Sequence, residues 1–154
     1  MSVPSPDIVV FPDRTALSQN AAARFVAIAQ NAMRARGKFS VALSGGSTPR
    51  DLFTLLATQE FSSQVDWSRV YLFWGDERCV PPDHPDSNFK MANDVLISRV
   101  PIPAENVHRI RAEIAPEPLR GYLLSATHPV GRFKARFFAA LGYSPDRWEE
   151  LDAD

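Results

Sequence analysis

The segment from Val41 to Arg50 constrains the fold most, because it reads as a strand, a glycine turn and the start of a helix in immediate succession. Residues 38–43 are short, apolar and rich in strand formers, which is typical of a strand buried on both faces of a sheet. Gly45 and Gly46 follow, and glycine adopts backbone angles barred to other residues and lets a ligand approach the main chain. A buried strand that runs into such a turn predicts a binding loop.

The residues after the glycines predict a helix that begins at this turn. Thr48 suits the N-cap, Pro49 suits the first helical position, and Asp51 forms a variant of the capping box. The hydroxyls of Ser47 and Thr48, unpaired N–H groups and the positive end of the helix dipole all favour an anion there. The spacing matches neither the Lys-Ser/Thr loop of nucleotide triphosphatases nor the dinucleotide-binding pattern. A strand-to-helix turn that binds nothing is the alternative.

Composition bounds the class of protein. With 154 residues and 45% hydrophobic content, the chain suffices for one core and is short for two ordinary domains. The net charge of −1 provides no field that recruits nucleic acid or an anionic membrane. No run of apolar residues is long enough to cross a membrane, and residues 1–7 lack a signal-peptide pattern. Together with the single cysteine, Cys79, these features predict a cytoplasmic protein whose thiol is inert.

Strand and helix patterns alternate along the chain. Strands are predicted over 8–11, 38–43, 70–74 and 106–110, and helices over 15–36, 49–57 and 87–99. This alternation favours an α/β fold, a three-layer parallel (Rossmann-like) sheet with helices on both faces, here incomplete. The first helix is predicted to bury one stripe of residues, formed by Leu17, Ala21, Phe25, Ile28 and Ala32.

A second polar segment follows the strand at 70–74. Asp76 and Glu77 suit a general base or a residue that orients water, and Arg78 suits an anionic group of a substrate. The alternative is an acidic turn in which Arg78 pairs with a neighbouring carboxylate. Ligands of parallel α/β sheets bind beyond the carboxyl ends of the strands, where both polar segments fall. The scattered histidines His84, His108 and His128 do not form a metal site.

Four stretches, at residues 41–49, 74–78, 86–88 and 106–110, together resemble the 6-phosphogluconolactonase family, which belongs to a broader group with glucosamine-6-phosphate deaminase. The resemblance covers most of residues 1–117. It implies hydrolysis of 6-phosphogluconolactone to 6-phosphogluconate in the oxidative pentose phosphate pathway, without metal or organic cofactor. It implies that Asp76 and Arg78 act in catalysis and shape the pocket. The residues that it assigns to the sugar phosphate are Ser44, Gly45, Gly46, Ser47 and Thr48.

The sequence departs from the family pattern at about Pro118. The family's Gly-x-Gly-x-Asp-Gly-His stretch, whose histidine is the expected acid and base, has no match in residues 118–154, and His128 is not assigned that role. We therefore divide the chain into a lactonase-like region, 1–117, and a mostly helical segment, 118–154. One predicted helical face there combines Phe133, Phe137, Phe138 and Leu141, opposite a basic face that is more typical of solvent than of nucleic acid.

Two other functions remain open from the sequence. One is a catalytically inactive phosphosugar-binding fragment or fusion product, and the other is an enzyme like glucosamine-6-phosphate deaminase. The expected partner is a small sugar phosphate, with no nucleic acid and no membrane. A homodimer is a further expectation, because half a sheet leaves an apolar edge and face to cover.

Overall fold

A computed structural model describes residues 8–113 of the chain. Four helices are present in this part, α1 (Arg14–Arg36), α2 (Ser47–Leu56), α3 (Gln59–Ser62) and α4 (Asn88–Val95). The strands are β1 (Phe39–Leu43), β2 (Val70–Trp74) and β3 (Val107–His108). Single turns of 3₁₀ helix occur at Trp67–Arg69, Ile97–Arg99 and Ala104–Asn106.

The strands form one parallel sheet in the order β1-β2-β3. Leu43, the last residue of β1, lies opposite Trp74, the last residue of β2. The ladder continues one step further, because the Gly75 N–H donates to the Leu43 carbonyl at 3.0 Å. The loops that follow β1 and β2 therefore leave the same edge of the sheet side by side. The α/β class and the parallel pairing are confirmed.

One face of the sheet carries much of the core. Side chains alternate along a strand, so Val70, Leu72 and Trp74 share a face, and all three are fully buried. Phe39 of β1 meets Phe25 of α1 edge to face, with ring centroids 5.2 Å apart. This packing holds β1 and β2, and therefore the start of both loops, in fixed positions.

Helix α1 ends where the sequence predicts but buries a partly different face. Asp13 caps its start by accepting from the Ala16 N–H at 2.8 Å, and Gly37 ends it in the left-handed region with φ of 75°. The predicted stripe is right only in part: Ala32 is buried and Phe25 packs against the core, whereas Leu17 and Ile28 are exposed by 37% and 53%. The buried residues are Ser18, Ala22, Val26, Ala29, Ala32 and Met33. Small side chains on this face allow the helix to approach its neighbours closely.

Other predicted elements also differ from the structure, and the strand predicted over 106–110 is reduced to Val107–His108. Residues 8–11 form no strand, and Ile8 and Val10 are exposed by 77% and 85%. A strand needs a hydrogen-bonded neighbour, and residues 8–113 offer none to this segment. The helix predicted over 87–99 is shorter in the structure, because α4 ends at Val95 and a 3₁₀ turn continues to Arg99. No helix within residues 8–113 is long and apolar enough to cross a membrane.

Candidate functional site

A cleft of about 460 Å³ opens between the N-termini of α2 and α4, beyond the carboxyl ends of β1 and β2. Helix α2 directs the positive end of its dipole toward this space, whereas the first N–H groups of α4 are occupied by Glu77 and Ser87. The residues that line the cleft are Gly46, Ser47, Arg50, Arg78, Val80, Pro85, Asp86, Ser87, Asn88 and Met91. The two loops that the sequence predicts as functional thus meet at one cavity.

The start of α2 differs from the prediction. The helix begins at Ser47, and its N-cap is Gly46, with φ of 107° and no side-chain cap. Thr48 lies inside the first turn, and Asp51 accepts from Arg14 at 2.5 Å instead of closing a capping box. Because a glycine N-cap has no side chain, it leaves the first N–H groups of the helix without a side-chain acceptor.

The predicted phosphate-binding residues divide between two sides of the glycine turn. Gly46 and Ser47 line the cleft. Ser44 and Thr48 line a separate apolar cavity of about 280 Å³ between α1, β1 and α2. Gly45 lies against Asn88, since a Cβ atom on Gly45 would stand 1.8 Å from Asn88 Oδ1. Only glycine fits at this position with the Asn88 side chain where it is.

The second loop places Arg78 and Asp76 at different distances from the cavity. Arg78 lines the cleft, whereas Asp76 is exposed at its margin and accepts a long 3.4 Å hydrogen bond from Asn88 Nδ2. Glu77 is turned toward the start of α4, where its carboxylate accepts from two backbone N–H groups. The two adjacent carboxylates therefore have different surroundings.

Arg50 is a cleft residue that the sequence reasoning missed. It lies three residues after Ser47 on α2, so both residues fall on the same helical face and line the cleft. The three-residue spacing from Ser47 could have predicted that Arg50 lies at the same site. Neither Arg50 nor Arg78 forms an ion pair with any residue in the part of the chain that the structure describes, although the carboxylate of Asp86 also lines the cavity. The cleft thus offers two guanidinium groups to an anion.

Other chemically active side chains lie outside this arrangement. Cys79 is exposed. His84 accepts from the Asp86 N–H at 3.2 Å in an exposed turn. His108 stacks on Phe73, with ring centroids 4.7 Å apart, as expected for a structural residue. Among residues 8–113, no group of acidic, histidine or cysteine side chains could hold a metal ion.

The fold and the cleft define a parallel α/β domain with a cationic site at the ends of two neighbouring strands. Residues 12–125 match the family described as glucosamine-6-phosphate isomerases/6-phosphogluconolactonase. The chain belongs to this family. Its resemblance to 6-phosphogluconolactonases, inferred above from four short motifs, is confirmed.

Individual relatives agree with this assignment. The chain is 44% identical over 103 residues to a 6-phosphogluconolactonase of Nostoc, which covers 67% of this chain and 41% of the relative. It is 46% identical over 76 residues to that of Haemophilus influenzae, covering 49% of this chain and 33% of the relative. A solved 6-phosphogluconolactonase structure from Trypanosoma cruzi matches with a TM-score of 0.62 and 34% identity, over 70% of this chain and 40% of that one. The chain thus spans less than half the length of these relatives.

A second match concerns the end of the chain. Residues 105–154 match a domain of unknown function, DUF6883, which overlaps the first match over residues 105–125. The predicted boundary at 117/118, the helical face around Phe137 and the residue His128 all lie outside the described residues.

Proposed function

We propose that this chain binds a sugar phosphate in the cleft and serves the hydrolysis of 6-phosphogluconolactone to 6-phosphogluconate. One observation carries the proposal: the N-terminus of α2, which has no side-chain cap, and the side chains of Arg50 and Arg78 line a single cavity. Uncapped N–H groups and guanidinium groups are the donors that phosphate oxygens favour. Membership of the family, whose relatives include 6-phosphogluconolactonases, supports the choice of substrate.

The roles proposed for individual residues follow from their positions. Gly46 and Ser47, which line the cleft, receive the phosphate, and the rest of the turn from Ser44 to Thr48 holds them in place. Arg78 lies across the cavity, where it holds an anionic or oxygen atom of the sugar and stabilises negative charge that develops during attack on the lactone. Asp76 stands at the margin, within reach of water, and orients the substrate or the attacking water.

Hydrolysis by the purified full chain tests this proposal. We expect lactone consumption above the spontaneous rate, and its loss in the double variant Ser47→Ala with Thr48→Ala. Ser98→Ala, an exposed serine in the turn after α4, is the matched control and retains the rate. A rate equal to the spontaneous one for the unmodified chain contradicts the hydrolytic function.

A second candidate is a protein that binds sugar phosphates without turnover. The observation that favours it is the lack of any match to the family's Gly-His stretch in residues 118–154, since lactone hydrolysis needs a base for the water. This candidate predicts saturable binding of 6-phosphogluconate in calorimetry with no hydrolysis. Absence of binding would contradict both candidates.

We also propose a division of the chain near residue 117, a cytoplasmic location and a homodimer. The separate match of residues 105–154 to DUF6883 supports the division. Native-state hydrogen exchange tests it, because two units open with different free energies, whereas a single cooperative unit does not. Light scattering of the purified chain measures whether it forms a dimer, and cell fractionation measures its location.

A further inference from the structure

Glu77 is the most densely hydrogen-bonded carboxylate beside the cleft. Its Oε1 accepts from the N–H groups of Arg78 at 2.8 Å and Asn88 at 2.7 Å. Its Oε2 accepts from the Phe89 N–H at 2.8 Å and the Ser87 hydroxyl at 3.1 Å. An ionised carboxylate has about four lone-pair sites, and these donors occupy them. Glu77 therefore has no free oxygen with which to take a proton from water, so it does not suit the general base expected from the sequence.

We propose that Glu77 is a positioning residue, which fixes the start of α4 and, through Asn88, sets the geometry of both loops of the cleft. The inference rests on the proposed function of the cleft. The negative charge of Glu77 lies at the N-terminus of α4, where the helix dipole favours it. Two of the first N–H groups of that helix, which have no partner within it, bond to this one side chain.

Asn88 links Glu77 to the rest of the site. Its backbone N–H donates to Glu77, and the residue is buried, with 5% of its surface exposed. The side chain reaches the first loop at Gly45, where Oδ1 fills the space of a missing Cβ. Its Nδ2 also donates to the Asp76 carbonyl at 3.3 Å. A shift of Asn88 therefore disturbs its packing against Gly45, its hydrogen bond to Asp76, or both.

Glu77→Gln tests this coupling with little change in shape. A glutamine oxygen can replace one carboxylate oxygen, but its NH₂ group then faces an N–H donor, which leaves that donor unpaired. We expect the affinity for 6-phosphogluconate, measured by calorimetry on the full chain, to fall about tenfold. We also expect the Gly45 and Gly46 amide signals to shift in ¹H–¹⁵N spectra of the ligand-free protein, although Glu77 does not touch either glycine.

Val26→Ala is the control for loss of stability, because Val26 is a buried residue of α1 away from the cleft. It lowers the melting temperature while the affinity stays within about twofold of the original value, since distant sites act independently. If Glu77 only stabilised the fold, Glu77→Gln and Val26→Ala would lose the same amount of affinity for each degree by which the melting temperature falls. Unchanged affinity in Glu77→Gln, or unmoved signals of Gly45 and Gly46, overturns the proposal.

Asn88→Ala provides a second test, which does not depend on whether Glu77→Gln folds. It removes the contacts to Gly45 and Asp76 and keeps the backbone bonds to Glu77. We expect the same shifts at Gly45 and Gly46, and unmoved signals overturn the proposal. If the unmodified chain does not bind 6-phosphogluconate, the proposed function fails, and the amide signals in these variants still decide whether Glu77 positions the loops.

Discussion

Gly45 and Gly75 each lie just beyond a strand of the sheet, but their surroundings differ. A Cβ on Gly45 would stand 1.8 Å from Asn88 Oδ1, whereas a Cβ on Gly75 would have its nearest neighbour, the Leu43 carbonyl oxygen, at 3.8 Å. We expect Gly45→Ala to lower the free energy of unfolding by about 1–3 kcal/mol, because the buried asparagine must move. Gly75→Ala is the matched control and changes it by less than about 0.5 kcal/mol. Urea denaturation measures both, and equal effects would contradict the contact.

Arg50 and Arg78 lead to a prediction about binding. Both line the cleft, and a charge-assisted bond to phosphate is stronger than a neutral one. We expect Arg50→Ala and Arg78→Ala each to weaken binding of 6-phosphogluconate about tenfold and to reduce its dependence on salt. Arg36→Ala, at the exposed C-terminal end of α1, is the control with the same change of charge. Calorimetry at two salt concentrations compares the three variants. Losses of equal size in all three would indicate a general electrostatic attraction of the ligand and would contradict direct contacts from Arg50 and Arg78.

Residues within one local motif were predictable from the sequence, while residues that meet across loops were not. The turn from Ser44 to Ser47 and the position of Arg78 follow from short patterns next to strands. The contact of Asn88 with Gly45 joins positions far apart in the chain, and it depends on how two loops pack. Three of the four donors around Glu77 also come from a distant part of the chain. The sequence alone therefore did not show that its carboxylate is fully hydrogen-bonded, and a catalytic role for Glu77 was a reasonable interpretation.

At the scale of elements, the two helices that border the cleft begin differently. Ser87 caps α4: its Oγ accepts from the Lys90 N–H at 3.1 Å and donates to Glu77. Thr48 caps nothing, because α2 begins at Ser47, two residues before its predicted start, and Gly46 is its N-cap. We expect Ser87→Ala to lower the free energy of unfolding of the ligand-free chain by about 1–2 kcal/mol. Thr48→Ala changes it by less than about 0.5 kcal/mol. Thermal unfolding measures both, and an effect of Thr48→Ala as large as that of Ser87→Ala would indicate that Thr48 does cap α2.

Elements were predictable where local chemistry decides them. The end of α1 at Arg36 and the strand Val70–Trp74 agree with the predicted bounds, whereas the cap at Asp13 was not predicted. The buried face of α1 agrees only in part, because an alanine-rich helix offers several faces of similar hydropathy and packing selects one. The strand expected at residues 8–11 is wrong for a related reason, since an apolar run becomes a strand only where a neighbour pairs with it.

At the scale of the whole molecule, the register of the sheet brings the site together. Leu43 lies opposite Trp74, so the glycine turn and the Asp76–Arg78 loop leave adjacent strands at the same height. The alternating pattern predicted a parallel sheet and thus a common edge for both loops. The pattern did not give the register, which depends on side-chain packing between β1 and β2. The cleft is therefore a product of the sheet and of neither loop alone.

The stability of the folded chain should depend on pH through an ion pair that follows β3. Arg109 donates two hydrogen bonds to Glu113, at 2.9 and 2.7 Å, and these lower the pKa of Glu113 from its ordinary 4.5 to about 2. The unfolded chain thus takes up this proton at a higher pH than the folded chain. The pair stabilises the fold fully above pH 4.5, and its contribution disappears as the pH falls toward 2. Because both side chains are 28–29% exposed, solvent limits the contribution to about 1 kcal/mol.

Glu113→Gln isolates this contribution from that of other carboxylates. We expect the unmodified chain to be more stable than the variant by up to about 1 kcal/mol above pH 4.5, with the difference vanishing as the pH approaches 2. Urea denaturation at a series of pH values measures it. Ser98→Ala, which adds or removes no titratable group, serves as the control and gives a difference that does not vary over this range. A difference between the unmodified chain and Glu113→Gln that stays constant or grows as the pH falls contradicts the assignment, because only a lowered pKa in the folded state makes the advantage disappear in acid.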